Sequence, residues 1–421
     1  MDIWCVQYNR PSKSIFCILY CKQQTSERLP DVSIRKSHSI RHLQFEILMR
    51  RLITIWLVAL IYVGCTKPLE LPDTKPNATI LVVEGDIIAG NNAENSFYLS
   101  RLKTLQGKDS IPELNALIEI VAKDGAKWQV QQVGNGSYKS TLNIPTDKGL
   151  SLRIQTKDGK IYQTEYQTPI ITPAIDSITY QQVPEGMKVF AHTHDAKNNS
   201  RYYRWTYQET WERHAWFETY YDYVGGKIIA RPVGDQIFAC WKTAATPNIV
   251  IDNSASLSND VISYKNITTI PFASEKLYVR YSILVKQIAL SKEAYEFWNI
   301  LRKNTELTGT LFDPQPSQLS TNIICTNDPT RSAIGYVSVG TVTTKRIFVM
   351  NSAMNLWPTK NPDDVCDAVE VPTQAAAETF LKNYPTYSVA YIITQGGFGL
   401  AMKPCVDCRL NGGTNVQPSF W

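Results

Sequence analysis

Three observations predict a mostly β protein from about residue 78 onward. Short runs alternate apolar with polar side chains, as a strand with one buried face requires. Turn residues punctuate 78–173 at short intervals, the spacing of an immunoglobulin-like β-sandwich. Beyond 173 one segment, about 291–305, carries a strong helical period, with a weaker one near 374–382. The expectation is an N-terminal immunoglobulin-like sandwich over 78–173. A second, larger β-rich domain over 174–421 follows it, with one or two helices.

Taken in chain order, the first element is a leader. Met49–Cys65 reads MRRLITIWLVALIYVGC: two arginines, an apolar run, then a small residue before a cysteine. This is the layout of a bacterial secretory signal peptide ending at a lipidation cysteine. The apolar run is shorter than the ~20 residues a spanning helix needs. Translation is therefore expected to begin at Met49, with 1–48 an over-extended start, 49–64 a signal peptide and Cys65 the lipidated residue. Tyr62 departs from the aliphatic residue usual three positions before such a cysteine. Thr66–Asn77 contains Pro68, Pro72 and Pro76, so 65–77 reads as an extended tether.

Within the first sandwich, Ile80–Val83, Phe97–Leu99, Ala116–Val121, Trp128–Val130, Tyr138–Ile144 and Leu150–Thr156 read as strands. Lys123-Asp124-Gly125 and Asp158-Gly159 are hairpin turns. The second domain continues with Ile175–Tyr180, Met187–Ala191, Tyr203–Tyr207, Ile249–Ile251, Val261–Tyr264 and Tyr278–Lys286. Ser291 is a good N-cap for the helix, in which Tyr295, Trp298 and Leu301 recur at helical spacing. Gly335–Val342 and Lys345–Val349 look like a closing hairpin. The stretch 351–385 is irregular apart from the weaker helix.

Charge excludes one class of function. Residues 1–64 carry nine Lys+Arg and four Asp+Glu, so the chain from Cys65 on holds 34 basic and 34 acidic side chains. With no net positive charge there is no electrostatic footprint for nucleic acid. Five cysteines follow Cys65: Cys240, Cys325, Cys366, Cys405 and Cys408. In an oxidising compartment an odd set implies two disulfides and one free thiol. Cys366 is expected to bridge to Cys405 or Cys408, and Cys240 with Cys325 is the other candidate pair. Cys405-Val-Asp-Cys408 lacks the second C-x-x-C of a zinc ribbon, and it follows Pro404 rather than opening a helix as a redox motif does.

His192 and His194 stand two apart on a strand, the spacing of a two-histidine metal site. The turn-like Asp195-Ala196-Lys197-Asn198-Asn199 that follows favours a solvated strand end, so neither metal nor cofactor is expected. Tyr202–Tyr223 concentrates ten aromatic residues, and the alternation of Tyr203, Trp205 and Tyr207 assigns one face to a core. Trp211, Trp216, Phe217 and Tyr220 flank Gly225-Gly226 and are candidates for a face that contacts a partner. No nucleophile elbow, P-loop, dinucleotide fingerprint or H-E-x-x-H is present, so no catalytic residues are assigned.

Several short motifs occur in a fixed order. They include Leu81-Val82-Val83-Glu84-Gly85, Cys240-Trp241, Tyr281–Gln287, Ala294–Trp298, Phe312–Ser317, Gly335-Tyr336 and Lys345–Phe348. The ending is Cys405-Val-Asp-Cys408-Arg409, then Gly412-Gly413-Thr414 and Pro418-Ser419-Phe420-Trp421. The series, covering about 65–421, resembles the "domain of unknown function 4249" lipoproteins of the Bacteroidota. The resemblance implies a cell-envelope lipoprotein, often encoded beside outer-membrane TonB-dependent receptors, with no assigned catalytic residue. The expected role is a non-enzymatic binding or accessory module on the outer membrane, held there by its lipid anchor beside a protein partner. A surface glycan-binding protein is the alternative, and an envelope hydrolase the third.

Overall fold

The computed structural model describes residues 80–102, 110–306, 319–394 and 396–421. The expected start at Met49, the signal peptide, Cys65 and the tether lie outside them. The described residues belong to one compact unit, and none of their helices is long and apolar enough to cross a membrane.

The protein is mostly β, and its first core is a sandwich. Strands β1 (Ile80–Gly85), β2 (Ile87–Ile88), β3 (Gly90–Leu102) and β4 (Ser110–Pro112) lead into β5 (Leu117–Ala122) and β6 (Lys127–Gln132). Then come β7 (Ser137–Ile144), β8 (Leu150–Gln155) and β9 (Ile161–Thr164). The hydrogen-bonded order β9-β8-β5-β6-β7-β3-β1 is continuous, and it folds at the short β6–β7 pairing into one layer of β1-β3-β7 and another of β6-β5-β8-β9. Side chains alternate across each strand, so Leu81, Val83, Phe97 and Leu99 from one layer meet Ile118, Ile120, Leu152 and Ile154 from the other. Both expected hairpin turns form, closed by Gly125 N–H to Ala122 O and Gly159 N–H to Thr156 O, each 2.9 Å.

The second core repeats this arrangement. Strands β10 (Ile175–Val183), β11 (Gly186–Asp195) and β12 (Tyr202–His214) are followed by the hairpin β13 (Tyr221–Val224) and β14 (Lys227–Ala230). Next come β15 (Ala239–Ala245), β16 (Val250–Asn253), β17 (Asp260–Pro271) and β18 (Arg280–Leu290). Layer β10-β11-β17 packs on layer β15-β12-β18-β22, where β22 is Val342–Met350. With the short β2 and β4 of the first sandwich and the inserted hairpin and short β16 of the second set aside, both sandwiches place their first, second and fifth strands in one layer. The fourth, third, sixth and seventh, in that order, make the other. Tyr203, Trp205, Tyr207, Tyr281, Ile283 and Val285 fill the second core against Met187, Val189 and Ile270. The predicted face of Tyr203, Trp205 and Tyr207 is therefore inside.

Between β18 and β22 the chain leaves the second sandwich. Helix α1 (Lys292–Glu306) begins where expected, its first turn capped by Ser291 Oγ, which accepts from Ala294 N–H at 3.1 Å. The chain then adds β19 (Ile323–Cys325) to β9, β20 (Ala333–Ile334) to β1 and β21 (Val339–Gly340) to β2. Residues 323–340, assigned above to the second domain, thus complete the first sandwich by covering one edge of each layer. Open edges carry unpaired N–H and C=O groups, and a covered edge satisfies them. The expected hairpin over 335–349 is not formed, because 342–350 is a single strand paired with β18.

An ion pair fastens this excursion, with Lys160 Nζ 2.8 Å from Asp328. Lys160 and the Thr330 hydroxyl hold the Asp328 carboxyl down to about 2. A depressed carboxyl contributes stability that is complete above its unfolded value, about 3.9, and is lost as pH falls through the folded one. Asp328→Asn should therefore lower the urea midpoint by a constant amount above about pH 5. That difference should shrink toward zero between about pH 4 and pH 2. A difference independent of pH across this window would refute the clamp.

The remaining chain forms a third module. Strand β23 (Val369–Val371), helix α2 (Gln374–Asn383), β24 (Tyr387–Ile392) and β25 (Phe398–Met402) make a sheet ordered β23-β25-β24. Ala377 and Leu381 of α2 pack with Val389, Phe398 and Leu400, and Ile228 of β14 joins them. The chain end folds back on the outer side of the second sandwich. Trp421 is half-buried, edge-on to Phe348 and Trp241, with the Arg280 guanidinium 5.0 Å from its ring centre. Arg346 lies 3.6 Å over Phe420.

Candidate functional site

The residues singled out in the sequence do not assemble into one site. Trp211 is 7 % exposed, against the ammonium of Lys276, which also pairs with the buried Glu209 at 2.6 Å. Burial, then the Glu209 charge, pushes the hydroxyl of Tyr281 up, and that hydroxyl donates to Glu209 at 2.8 Å. Trp216 is half-buried under Lys360, 4.7 Å from its ring centre, and Phe217 packs on Tyr391 at 5.6 Å. Of the four candidate partner contacts only Tyr220, 67 % exposed, is open. The third module covers much of what the sequence assigned to a contact face. The hairpin expected around Gly225-Gly226 forms as β13–β14, and both glycines adopt the positive φ such a turn requires. It packs on α2 through Glu378, which accepts from Lys227 at 3.0 Å and from the Ile228 amide at 3.1 Å.

Among the described residues the cysteines pair as Cys366–Cys405 and Cys240–Cys408, leaving Cys325 as a free, buried thiol. The candidate pair Cys240–Cys325 is thereby corrected: Cys325 sits in the first core, whereas Cys240 faces the chain end. The two sulfurs of the C-x-x-C belong to different bridges. His194 pairs with Asp176 at 2.8 Å, which raises its pKa, and His192 meets Thr179 Oγ1 at 2.9 Å. Among the described residues no group of three or more His, Cys, Asp or Glu is placed to hold a metal ion.

What the structure does assemble is a cleft of about 680 Å³ between the two sandwiches. One wall is 85–96 of the first sandwich, from the end of β1 through β2 into the start of β3. The other is the outer face of β12, β18 and β22. Because Tyr203, Trp205 and Tyr207 point into the core, strand alternation turns Arg204 and Thr206 outward. Arg204 pairs with Asp86 across the cleft, their side chains only 11 % and 10 % exposed. Its guanidinium lies 4.2 Å over the Trp298 ring, so α1 also supports it. Asp86 Oδ1 and Arg204 Nε are buried with no hydrogen-bond partner.

Backbone geometry fixes the Asp86 side. Gly85 has φ +139°, and a Cβ there would sit 2.5 Å from Ser96 O, so only glycine lets β1 turn this close to β3. The wholly buried Asn95 then latches the loop, its Oδ1 accepting from Ile88 N–H at 2.9 Å and its Nδ2 donating to Ile88 O at 3.0 Å.

The floor carries Lys286. Sheet register aligns Thr206, Lys286 and Thr344 as neighbours across β12, β18 and β22. Lys286 is half-buried, and its ammonium has no ion-pair or hydrogen-bond partner among the described residues. Ile88, Ala89, Ile288 and Val342 supply apolar lining. Sequence patterning does not reveal this cleft because its two walls, 85–96 and the face of β12, β18 and β22, lie more than 100 positions apart in the chain. The available signal was a charged residue, Arg204, alternating with core aromatics.

A comparison with curated proteins finds no match. Solved structures that resemble the chain include a two-domain fibronectin type III segment of chicken tenascin. It shows 10 % identity over 49 % of this chain and 90 % of that one, with a TM-score of 0.14. Another, described as a membrane-anchored protein from Corynebacterium diphtheriae, shows 10 % identity over 49 % of this chain and 54 % of that one, with a TM-score of 0.16. A family model described as a domain of unknown function, DUF4249, matches residues 66–346, and the chain belongs to that family.

Proposed function

We propose that the protein is a non-catalytic binding module of the cell envelope, tethered to the outer membrane through Cys65 and presenting the cleft between its sandwiches to a ligand. The observation that carries this reading is the cleft itself. It has a ligand-sized volume, a mostly apolar lining and one cation without a counter-charge, on two rigid β frameworks. The tether rests on the Met49–Cys65 pattern. A TonB-dependent receptor is the partner class that fits such an anchored module. The glycan-binding alternative relied on the aromatic window, most of whose rings pack within the protein.

Fractionation tests the anchor. Wild-type protein should sediment with membranes and release into detergent, and Cys65→Ala should move most of it to the soluble fraction. Co-purification of a β-barrel receptor with the wild type is the expected partner result. A Cys65→Ala variant that stays wholly membrane-bound would remove the basis for the tether.

A further inference from the structure

We propose that the cleft takes a small monoanionic carboxylate with an apolar body, its carboxylate seated on Lys286 between the hydroxyls of Thr206 and Thr344. This deepens the binding-module reading and rests on it.

The argument begins with a charge count. Arg204 and Asp86 neutralise each other within the cleft wall. Glu94, also on the wall, is paired with Lys139 at 3.0 Å. Lys286 remains, so the site holds one uncompensated positive charge. An ammonium on a partly buried lysine with no counter-ion offers an arriving anion a charge-assisted partner that no protein group competes for. One net charge suits a monoanion. A phosphate dianion would bring a second negative charge with no cation to meet it.

Register supplies the geometry. Thr206 and Thr344 flank Lys286 on adjacent strands, so two hydroxyls lie on the same face of the sheet as the lysine side chain. A carboxylate has two oxygens with lone pairs enough to accept from the ammonium and both hydroxyls together. Ile88, Ala89, Ile288 and Val342 then receive an apolar chain or ring. The volume of about 680 Å³ lies within the range for small-ligand sites, about 300–1,000 Å³. A neutral sugar would leave the lysine charge unmet.

Ligand-observed NMR titration of the full-length protein, purified in detergent, tests this with hexanoate, hexanamide and inorganic phosphate as probes. Hexanoate should bind at least tenfold more tightly than hexanamide and weaken as sodium chloride rises. Phosphate should not displace it. Lys286→Met should abolish the preference for hexanoate, whereas Lys286→Arg should keep it. Equal binding of hexanamide and hexanoate, independent of Lys286, would overturn the carboxylate assignment while leaving a binding cleft in place. Displacement by phosphate would overturn the monoanion. Absence of hexanoate binding at millimolar concentration, with membrane anchoring and receptor co-purification intact, would overturn the inference and not the broader reading.

Discussion

Asp86→Ala should cost about 3–5 kcal/mol of unfolding free energy, because it strands the Arg204 guanidinium in a nearly dry wall with no counter-charge. The two side chains are only 10 % and 11 % exposed, so solvent screening offers little relief. Arg204 would keep its stacking on Trp298, 4.2 Å away, which offsets a fraction of the loss. The double variant Asp86→Leu, Arg204→Met should lose much less, since apolar side chains of similar volume carry no desolvation cost. Urea denaturation of the three proteins measures both differences. A single variant within about 1 kcal/mol of wild type would mean that water reaches the pair and that the wall is not closed.

Removing the Cys240–Cys408 bridge should have an effect of similar size by a different route. The bridge spans 168 residues, and the chain-entropy model assigns a loop of that length about 5 kcal/mol. Cys366–Cys405 spans 39 residues, for which the same model gives about 4 kcal/mol. Cys240→Ser with Cys408→Ser should therefore destabilise more than Cys366→Ser with Cys405→Ser. Paired serine variants, each unfolded with and without reductant, separate the two contributions. The ordering would be refuted if the short bridge proved the more stabilising.

Local patterning made much of the fold legible before any coordinates. Alternation gave the strands of both sandwiches. Ser291 and the spacing of Tyr295, Trp298 and Leu301 gave α1 to within a residue at each end. These signals work because a strand or a capped helix is specified by neighbours a few residues apart. The excursion through β19, β20 and β21 was not legible. Strands of two or three residues carry no period, and their partners lie more than 150 positions away. The same distance hid the fate of the aromatic window. Trp216 and Phe217 look like surface rings until Lys360 and Tyr391 are folded onto them. Cysteine pairing failed in part for that reason too: Cys325 belongs to a core built mostly from residues before 170. The cleft required both sandwiches in place, since Asp86 and Arg204 are 118 positions apart.

The borrowed strands β19 and β20 also set an order of events during synthesis. Strands β1 and β9 are made early, yet the partners that cover their free edges arrive only after residues 323–334 leave the ribosome. Until then a nascent first sandwich exposes two edges able to pair with another chain. Such long-range pairing slows folding and lengthens the interval at risk of aggregation. Chains ending near 320 should accordingly aggregate more than chains ending near 341, although both contain the whole of β1 through β9 and neither contains β22.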